Sequence, residues 1–271
     1  MSVLTFLSDF GGQSPYPAAM RAVASGIVSA DVRFLDITHE IRPQHVAEGA
    51  FVLASIAPEC PDGSVHCAVV DPGVGTDREG LVLVTDRQCF VGPDNGLLGP
   101  AAESVGPIRA AYAIDLERTA YLRTPISMTF HGRDIFAPVA AHLASGVDPQ
   151  SIGPEIDAWQ TLDVSFNGGA YEPADRTFHA QIVYADRFGN LVTNLETATA
   201  DRHLDEGQPL VLGMERRELP VARVPSFGHV ERGDLCLVGG SHGRIEIAVR
   251  EGSAQSLLGL DIGDTVTLHL P

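Results

Sequence analysis

Three side chains with wide chemical range fall in two short loops. Asp71 closes the apolar run Val65, Cys67, Ala68, Val69, Val70, and a Pro-Gly-Val-Gly turn then separates it from Arg78. His131 lies in the polar run Thr129-Phe130-His131-Gly132-Arg133-Asp134. A carboxylate, a guanidinium and an imidazole could form one acid–base cluster. The carboxylate would orient the imidazole or accept a proton, the guanidinium would hold an anionic oxygen, and the imidazole would shuttle the proton. Each also has a plain structural reading: Asp71 before Pro72 as the start of a turn, Arg78 as a surface ion-pair partner, His131 as a weak helix cap. Spacing leaves both readings open.

Other polar groups recur at the ends of apolar runs. Asp9, in Ser8-Asp9-Phe10-Gly11-Gly12, suits ribose hydroxyls, a cation or an Asx turn. The stretch Asp186-Arg187-Phe188-Gly189-Asn190 combines a carboxylate, an aromatic face and an amide. Such a set could hold an amino group, stack on a purine and read its edge, or form a hairpin turn around a buried Phe. Gly73-Val74-Gly75 is no phosphate loop: the GK[ST] ending is missing, and GxGxxG fails because position 78 is Arg. Its glycines supply unusual φ angles or close backbone approach. The histidines show no metal-ligand spacing, so no metal site is expected.

The elements that must position these groups follow from hydrophobic period. Val3 to Leu7, Val32 to Ile37 and Val65 to Val70 read as strands, with helices over Pro17 to Val28 and His45 to Ile56 between them. This alternation predicts an α/β domain with a mostly parallel sheet. Its strands end in Asp9, in Thr38 and His39, and in Asp71, so one sheet edge collects polar groups where α/β proteins bind ligands. Leu81 to Val84 and Cys89 to Val91 are two more short apolar runs. Ala110 to Tyr121 is less periodic. Ile135 to Ser145 reads as a helix with Gly146 as its C-cap. From Phe178 the texture becomes short apolar runs separated by turns: His179 to Tyr184, Leu191 to Thr193, Pro209 to Leu212, Leu219 to Ala222, Leu235 to Val238, Ile245 to Val249 and Thr265 to His269. With only a helical turn near Ala254 to Leu258, this predicts a small antiparallel β-barrel or sandwich. The expected division is an α/β domain over 1–160, a linker over 161–177 and a β-barrel domain over 178–271.

At 271 residues, 44% hydrophobic and 20% charged, the chain has globular values. A formal net charge of −17 argues against nucleic acid and anionic membrane as partners. All 18 basic residues are Arg; an acidic, lysine-free chain suggests a halophile's cytoplasm, or simply a genome rich in Arg codons. Cys60, Cys67, Cys89 and Cys236 show no CxxC pairing and read as small buried hydrophobes in a reducing compartment. No basic leader and no run of 18 apolar residues is present, so a cytoplasmic protein is expected.

Several of these stretches occur together and in order: LSDFGG, ITHEI, VVDPGVGTDR, FVGPDNGLL, TFHGRDIFAPVAAHLASG, FGNLVTN and GSHGRIEIAVREGSA. Over nearly the whole chain the sequence resembles the S-adenosyl-L-methionine (SAM) hydroxide adenosyltransferases, relatives of the SAM-dependent fluorinase and chlorinase. The resemblance implies an α/β domain joined to a β-barrel. It also implies a homotrimer with the SAM site at the subunit interface, SAM as substrate and no cofactor. It makes Asp71, Arg78 and His131 the catalytic set of the hydroxide-using branch. Asp9 matches the ribose-holding carboxylate, Phe130 and Phe188 positions around the substrate, Asn190 and Phe227 adenine contacts, and Asp186 a contact to the methionine amino group. Ser241 and His242 fall where the methionine carboxylate is held. His242 departs from the Arg of the fluorinase and the small polar residue of many hydroxide enzymes, and Ser14 stands where an acidic residue is usual. Val74 and Gly132 replace the halide-contacting hydroxyls of the fluorinase. The implied reaction is attack of water or hydroxide on ribose C5′, giving adenosine and L-methionine. The alternatives are a SAM-dependent chlorinase and a non-catalytic SAM- or adenosine-binding module.

Overall fold

The alternation of apolar runs and turns folds into two compact units, residues 1–162 and 163–271, in a computed structural model that describes residues 2–164, 166, 168–215 and 217–270. The first unit is a mixed six-stranded sheet with helices on both faces. Strand β1 (Ser2–Ser8) is followed by helix α1 (Tyr16–Ser25), β2 (Val32–Thr38), α2 (Val46–Ile56) and β3 (Val65–Val69). Strands β4 (Gly80–Thr85) and β5 (Cys89–Pro93), helix α3 (Gly99–Val105), β6 (Ile108–Ala113) and α4 (Ala137–Ala144) complete it. The sheet order is β2-β1-β3-β5-β4-β6. Both neighbours of β1 run parallel to it and β5 runs parallel to β3, whereas β4 is antiparallel to β5 and β6.

Two features of this order matter for the site. The chain leaves β1 for β2 on one side and returns to β3 on the other, so the topological switch point lies between β1 and β3. In open α/β sheets that crevice is where ligands bind. Because β4 runs against its neighbours, its first residues lie at the edge where β1, β3 and β5 end. An antiparallel strand thus brings Arg78, two residues before β4, to the edge where Asp71 follows β3.

The core explains these elements. Leu4 and Phe6 of β1, Val65, Cys67 and Val69 of β3, and Val82 of β4 pack against Met20 and Ala24 of α1, Val139 and Ala140 of α4, and Phe136 just before α4. Helix α4 ends in a Schellman motif: Gly146, at φ +92°, and Val147 donate to the carbonyls of Leu143 and His142. Helix α3 and strand β6 lie where the sequence offers little period. Helix α3 is only 7 residues long, too short for apolar spacing to stand out. Cys60, Cys67 and Cys236 are buried free thiols and Cys89 is partly buried; burial pushes the Cys89 thiol up to about 11, which keeps it unreactive.

The second unit is a closed barrel. Strands β8 (Thr177–Ala185), β9 (Leu191–Glu196), β10 (Pro209–Met214), β11 (Arg217–Arg223), β12 (Leu235–Gly239), β13 (Arg244–Val249) and β14 (Thr265–His269) form a ring of seven, shut by the β14–β8 pairing. The short β7 (Ala170–Glu172) pairs with β8 outside the ring. All ring pairs are antiparallel except β11–β12. Each of the seven apolar runs expected in this region lies within one ring strand. Helix α6 (Ala254–Leu258) is the expected helical turn, and α5 (Thr197–Asp201) is a further 5-residue helix that the apolar pattern does not announce. No helix among the described residues is long and apolar enough to cross a membrane.

A polar thread crosses the core of the first unit. His66, fully buried on β3, bonds through Nδ1 to Thr5 Oγ1 (2.8 Å) and through Nε2 to Gln88 Oε1 (3.0 Å), and stacks on Phe90. The Gln88 amide donates in turn to the carbonyls of Ala57 and Cys60. Burial pulls the His66 pKa down from 6.5 to about 4. The folded state therefore binds fewer protons than the unfolded chain between those values. The stability this group contributes is full above pH 6.5 and is lost as pH falls towards 4. We expect wild type to lose about 2 to 3 kcal/mol more than His66→Gln between pH 7 and pH 4.5. Urea unfolding at the two pH values measures this; equal losses in both proteins would refute it.

Candidate active site

The residue types singled out at the edge of the first unit converge. Asp71 follows β3, and the turn after it is tied by Val74 N–H donating to the Asp71 carbonyl and Thr76 Oγ1 donating to the Gly73 carbonyl. Gly75 has φ +77°, and a Cβ there would lie 2.3 Å from the Met128 carbonyl oxygen, so only glycine lets this turn close on the segment before His131. The Asn95 amide donates to the Val70 carbonyl at 2.8 Å and pins the end of β3. His131 is the residue before a π-helical turn, Gly132–Phe136, that runs into α4. Such turns are frequent at functional sites because they re-aim a side chain.

Arg78 joins the cluster. Its Nε donates to Asp71 Oδ1 (3.1 Å), and its Nη2 donates to Asp71 Oδ2 (2.6 Å) and to His131 Nδ1 (2.9 Å). Its Nη1 donates to the Glu79 carbonyl at 2.8 Å. Four of the five guanidinium protons are thereby committed, and one on Nη1 remains. The Arg78 head also lies over the Phe136 ring, 5.2 Å from its centroid. The side chains of Arg78 and Asp71 are only 10% and 5% exposed, so this ion pair is shielded from water.

Protonation follows from the donor pattern. A guanidinium only donates, so His131 Nδ1 must accept, and neutral His131 carries its proton on Nε2. Burial and then the Arg78 charge hold the His131 pKa below 6.5. Burial also pushes the Asp71 carboxyl above its ordinary value, against the opposing pull of Arg78. The cluster thus presents an ionised but desolvated carboxylate, one guanidinium N–H and one imidazole N–H.

Asp9 stands one residue beyond β1, beside β3, in the register Ser8↔Val69. Its Oδ2 accepts from Gln44 N–H at 2.7 Å, leaving acceptor capacity on Oδ1. Phe130 packs edge-on against Tyr16 and Phe10, with centroids 5.0 and 5.7 Å away. Ser14 bonds to the Gly11 carbonyl. Two contributors went unnoticed in the sequence. Phe136 looks like an ordinary core residue. Asp134, fully buried, binds Arg123, Arg133 and the Ser127 N–H, and so fixes the loop that carries Phe130 and His131. The adjacent charges of His131-Gly-Arg133-Asp134 were its only trace.

The second unit holds its own cleft, of about 590 Å³, lined by Phe188, Asn190, Phe227, Val249 and the backbone around Arg250 and Gly252. The hairpin reading of residues 186–190 is correct in part. Asp186 Oδ1 accepts from the Phe188 and Asn190 N–H groups, and Oδ2 accepts from Asn190 Nδ2. Phe188, however, is not buried in the turn; it is 79% exposed at the cleft. An exposed ring of this kind is a stacking face in want of a partner. Arg250 donates to the Val230 carbonyl (2.6 Å) and so secures the Phe227 turn. Ser241 and His242 lie on the exposed β12–β13 turn and do not line this cleft.

Comparison with known proteins agrees over the whole length. Residues 4–153 match the SAM hydroxide adenosyltransferase N-terminal domain and residues 180–267 the corresponding C-terminal domain. The chain is 40% identical to a (R)-S-adenosyl-L-methionine hydrolase of Salinispora tropica, covering 96% of this chain and 95% of that one. It is 36% identical to one of Thermus thermophilus, covering 99% and 100%. A fluorinase of Actinoplanes is more distant, at 22% identity over 98% and 97%. A crystal structure of a Thermotoga maritima protein superposes with a TM-score of 0.89 at 33% identity, covering 98% of this chain and 99% of that one.

One prediction concerns the cluster itself. Removing the Arg78 charge in Arg78→Met should raise the His131 pKa, because repulsion is lost while the Asp71 carboxylate remains. Imidazole NMR titration of both proteins measures it; an unchanged or lower value would contradict the shared-guanidinium arrangement.

Proposed function

Because the chain belongs to the SAM hydroxide adenosyltransferase family, we propose that Asp71, Arg78 and His131 provide the nucleophile for its reaction, the hydrolysis of SAM. The hydrogen-bonded cluster at the switch point of the sheet carries this reading. The leaving group, methionine, departs from the sulfonium as a neutral thioether and needs no acid. The difficulty lies with water, whose pKa is about 15.7.

A water at the cluster donates to Asp71 and accepts from the spare Arg78 N–H and from His131 Nε2–H. Asp71 takes its proton as the oxygen attacks ribose C5′ opposite sulfur. His131 Nδ1 is occupied by Arg78 and its Nε2 is already protonated, so the carboxylate is the group able to accept. Desolvation of Asp71 makes it a better base than a carboxylate in water. Arg78 and His131 stabilise the negative charge that builds on oxygen. The balanced reaction is SAM plus water giving adenosine, L-methionine and a proton.

Asp9 holds the ribose hydroxyls, with Phe130 beside the sugar. Phe188, Asn190 and Phe227 take the adenine, Asp186 the methionine ammonium, and Ser241 and His242 its carboxylate. The reaction groups and the adenine cleft belong to different units of the fold, in keeping with a homotrimer in which neighbouring subunits each complete a SAM site. Val74 and Gly132 bring no hydroxyl to a halide, in keeping with hydroxide rather than halide as nucleophile. SAM is the substrate, and the chemistry needs no cofactor or metal from these residues. A cytoplasmic enzyme would meet SAM where it is made.

Turnover in sulfate and in chloride buffers should give adenosine in both, and in ¹⁸O-water the label should enter the 5′-hydroxyl. A 5′-chloro nucleoside, or label in methionine, would overturn the assignment. Arg78→Ala should lower kcat by about 10²- to 10³-fold. kcat/KM should stay level from pH 8 to 6.5 and fall only at lower pH, as His131 protonates and loses its Arg78 bond; an acid limb beginning above 6.5 would sink that role.

A further inference from the structure

Two polar residues stand at the end of β2. Thr38 serves its own turn, its Oγ1 accepting from the Glu40 N–H. His39 beside it is only 8% exposed and takes no part in the chemistry above. Its Nδ1 lies 2.8 Å from Ser8 Oγ, and its Nε2 is buried without a hydrogen-bond partner, 3.5 Å from Asp36 Oδ1. A buried imidazole that is satisfied on one side only calls for a reason.

The donor pattern fixes its state. Ser8 is fully buried, and its Oγ accepts from the Phe10 N–H at 3.3 Å. The hydroxyl proton therefore needs an acceptor, and a protonated His39 Nδ1 would leave it without one. Nδ1 accepts, and the imidazole proton sits on Nε2, facing Asp36, whose other oxygen Arg21 binds. Burial holds the His39 pKa below 6.5 against the raising pull of Asp36, so the ring is neutral at pH 7.

Ser8 and Phe10 flank Asp9. The bond from the Phe10 N–H to Ser8 Oγ closes a side-chain turn with Asp9 between its ends. The register Leu7↔Thr38 sets Ser8 beside His39. The segment after β2 then grips the loop after β1 along its length. The Gly11 N–H donates to the His39 carbonyl at 2.7 Å, the Ile41 N–H to the Ser8 carbonyl at 3.4 Å, and the Gly12 N–H to Glu40 Oε1. Gln44, at φ +65°, takes the left-handed backbone that is uncommon outside glycine and so directs its N–H to Asp9 Oδ2 at 2.7 Å. Strain of this kind collects where a functional group must be held. Within this clasp, His39 is the one side chain that reaches the Ser8 hydroxyl.

We propose that His39 is a positioning residue for recognition of the substrate ribose: it locks the Ser8 hydroxyl, and through it the turn that aims the Asp9 carboxylate. The proposal rests on Asp9 holding the ribose hydroxyls, as in the preceding subsection. His39 acts through Ser8 and touches no substrate itself.

The test is steady-state kinetics with SAM and with its 2′,3′-dideoxy analogue, which lacks both ribose hydroxyls. The readout is the ratio of the two kcat/KM values, which a general loss of structure lowers for both substrates and leaves unmoved. His39→Leu and Ser8→Ala should each reduce the preference for SAM by about five- to tenfold. The double variant should lose no more than either single one, because the two residues act as a unit. His39→Asn, whose amide oxygen can take the place of Nδ1, should keep the preference within about twofold of wild type. A ratio unchanged in His39→Leu and Ser8→Ala, additive losses in the double variant, or a His39→Asn as impaired as His39→Leu would each overturn the proposal. Should His39→Leu fail to fold, Ser8→Ala carries the comparison. Asp9→Asn is the control for the underlying reading: a preference that survives it removes Asp9 from the ribose. Hydrogen exchange of the Gln44 amide in the substrate-free protein then decides the role of His39. Exchange about five- to tenfold faster in Ser8→Ala and His39→Leu, with His39→Asn like wild type, is expected; equal exchange in all of them overturns it.

Discussion

The first unit depends on one shared guanidinium. Arg78 spans Asp71 and His131, and neither of those would hold its protonation state alone. Its charge keeps the desolvated carboxylate ionised, and its donor-only chemistry forces the imidazole into one tautomer. With four of its protons committed inside the protein, Arg78 is rigid. A rigid cation surrounded by little water stabilises developing negative charge without reorganising first.

That interaction constrains the fold around it. Asp71 and Arg78 are seven residues apart, and they meet because a parallel strand ends where an antiparallel one begins. The turn between them closes only with glycine at 75. His131 comes from far along the chain and is aimed by the π-helical turn that leads into α4. The loop before it is anchored by buried Asp134. Parts of the structure that look merely architectural, such as the reversed β4, therefore fix the geometry of three side chains.

The barrel solves a different problem. Its core is satisfied by inward apolar residues, which frees its outer face and turns for recognition. There the usual economy of burial is broken at Phe188, which exposes a large aromatic ring. That departure costs free energy in the free protein. It is the kind of cost that an aromatic partner stacked on the ring recovers.

Much of this was legible in the sequence. Alternating apolar runs determined β1 to β3 and their helices, and all seven ring strands, because burying one face of a strand or helix writes its period directly into the chain. Polar residues at strand ends marked Asp9 and Asp71, and motif order marked the family. Helix α3 and strand β6 were not legible, being too short or too weakly periodic to compete with loop patterns. Nor could spacing choose between Asp71 as a turn and Asp71 as a base, since both readings use the same residues. Arg78 shows the limit most clearly: from spacing it reads equally well as a surface ion-pair partner. Only the tertiary structure decides that its head is buried against Asp71 and shared with His131. Period is a local property of the chain, whereas burial, tautomer and charge pairing depend on which distant segments the fold brings together.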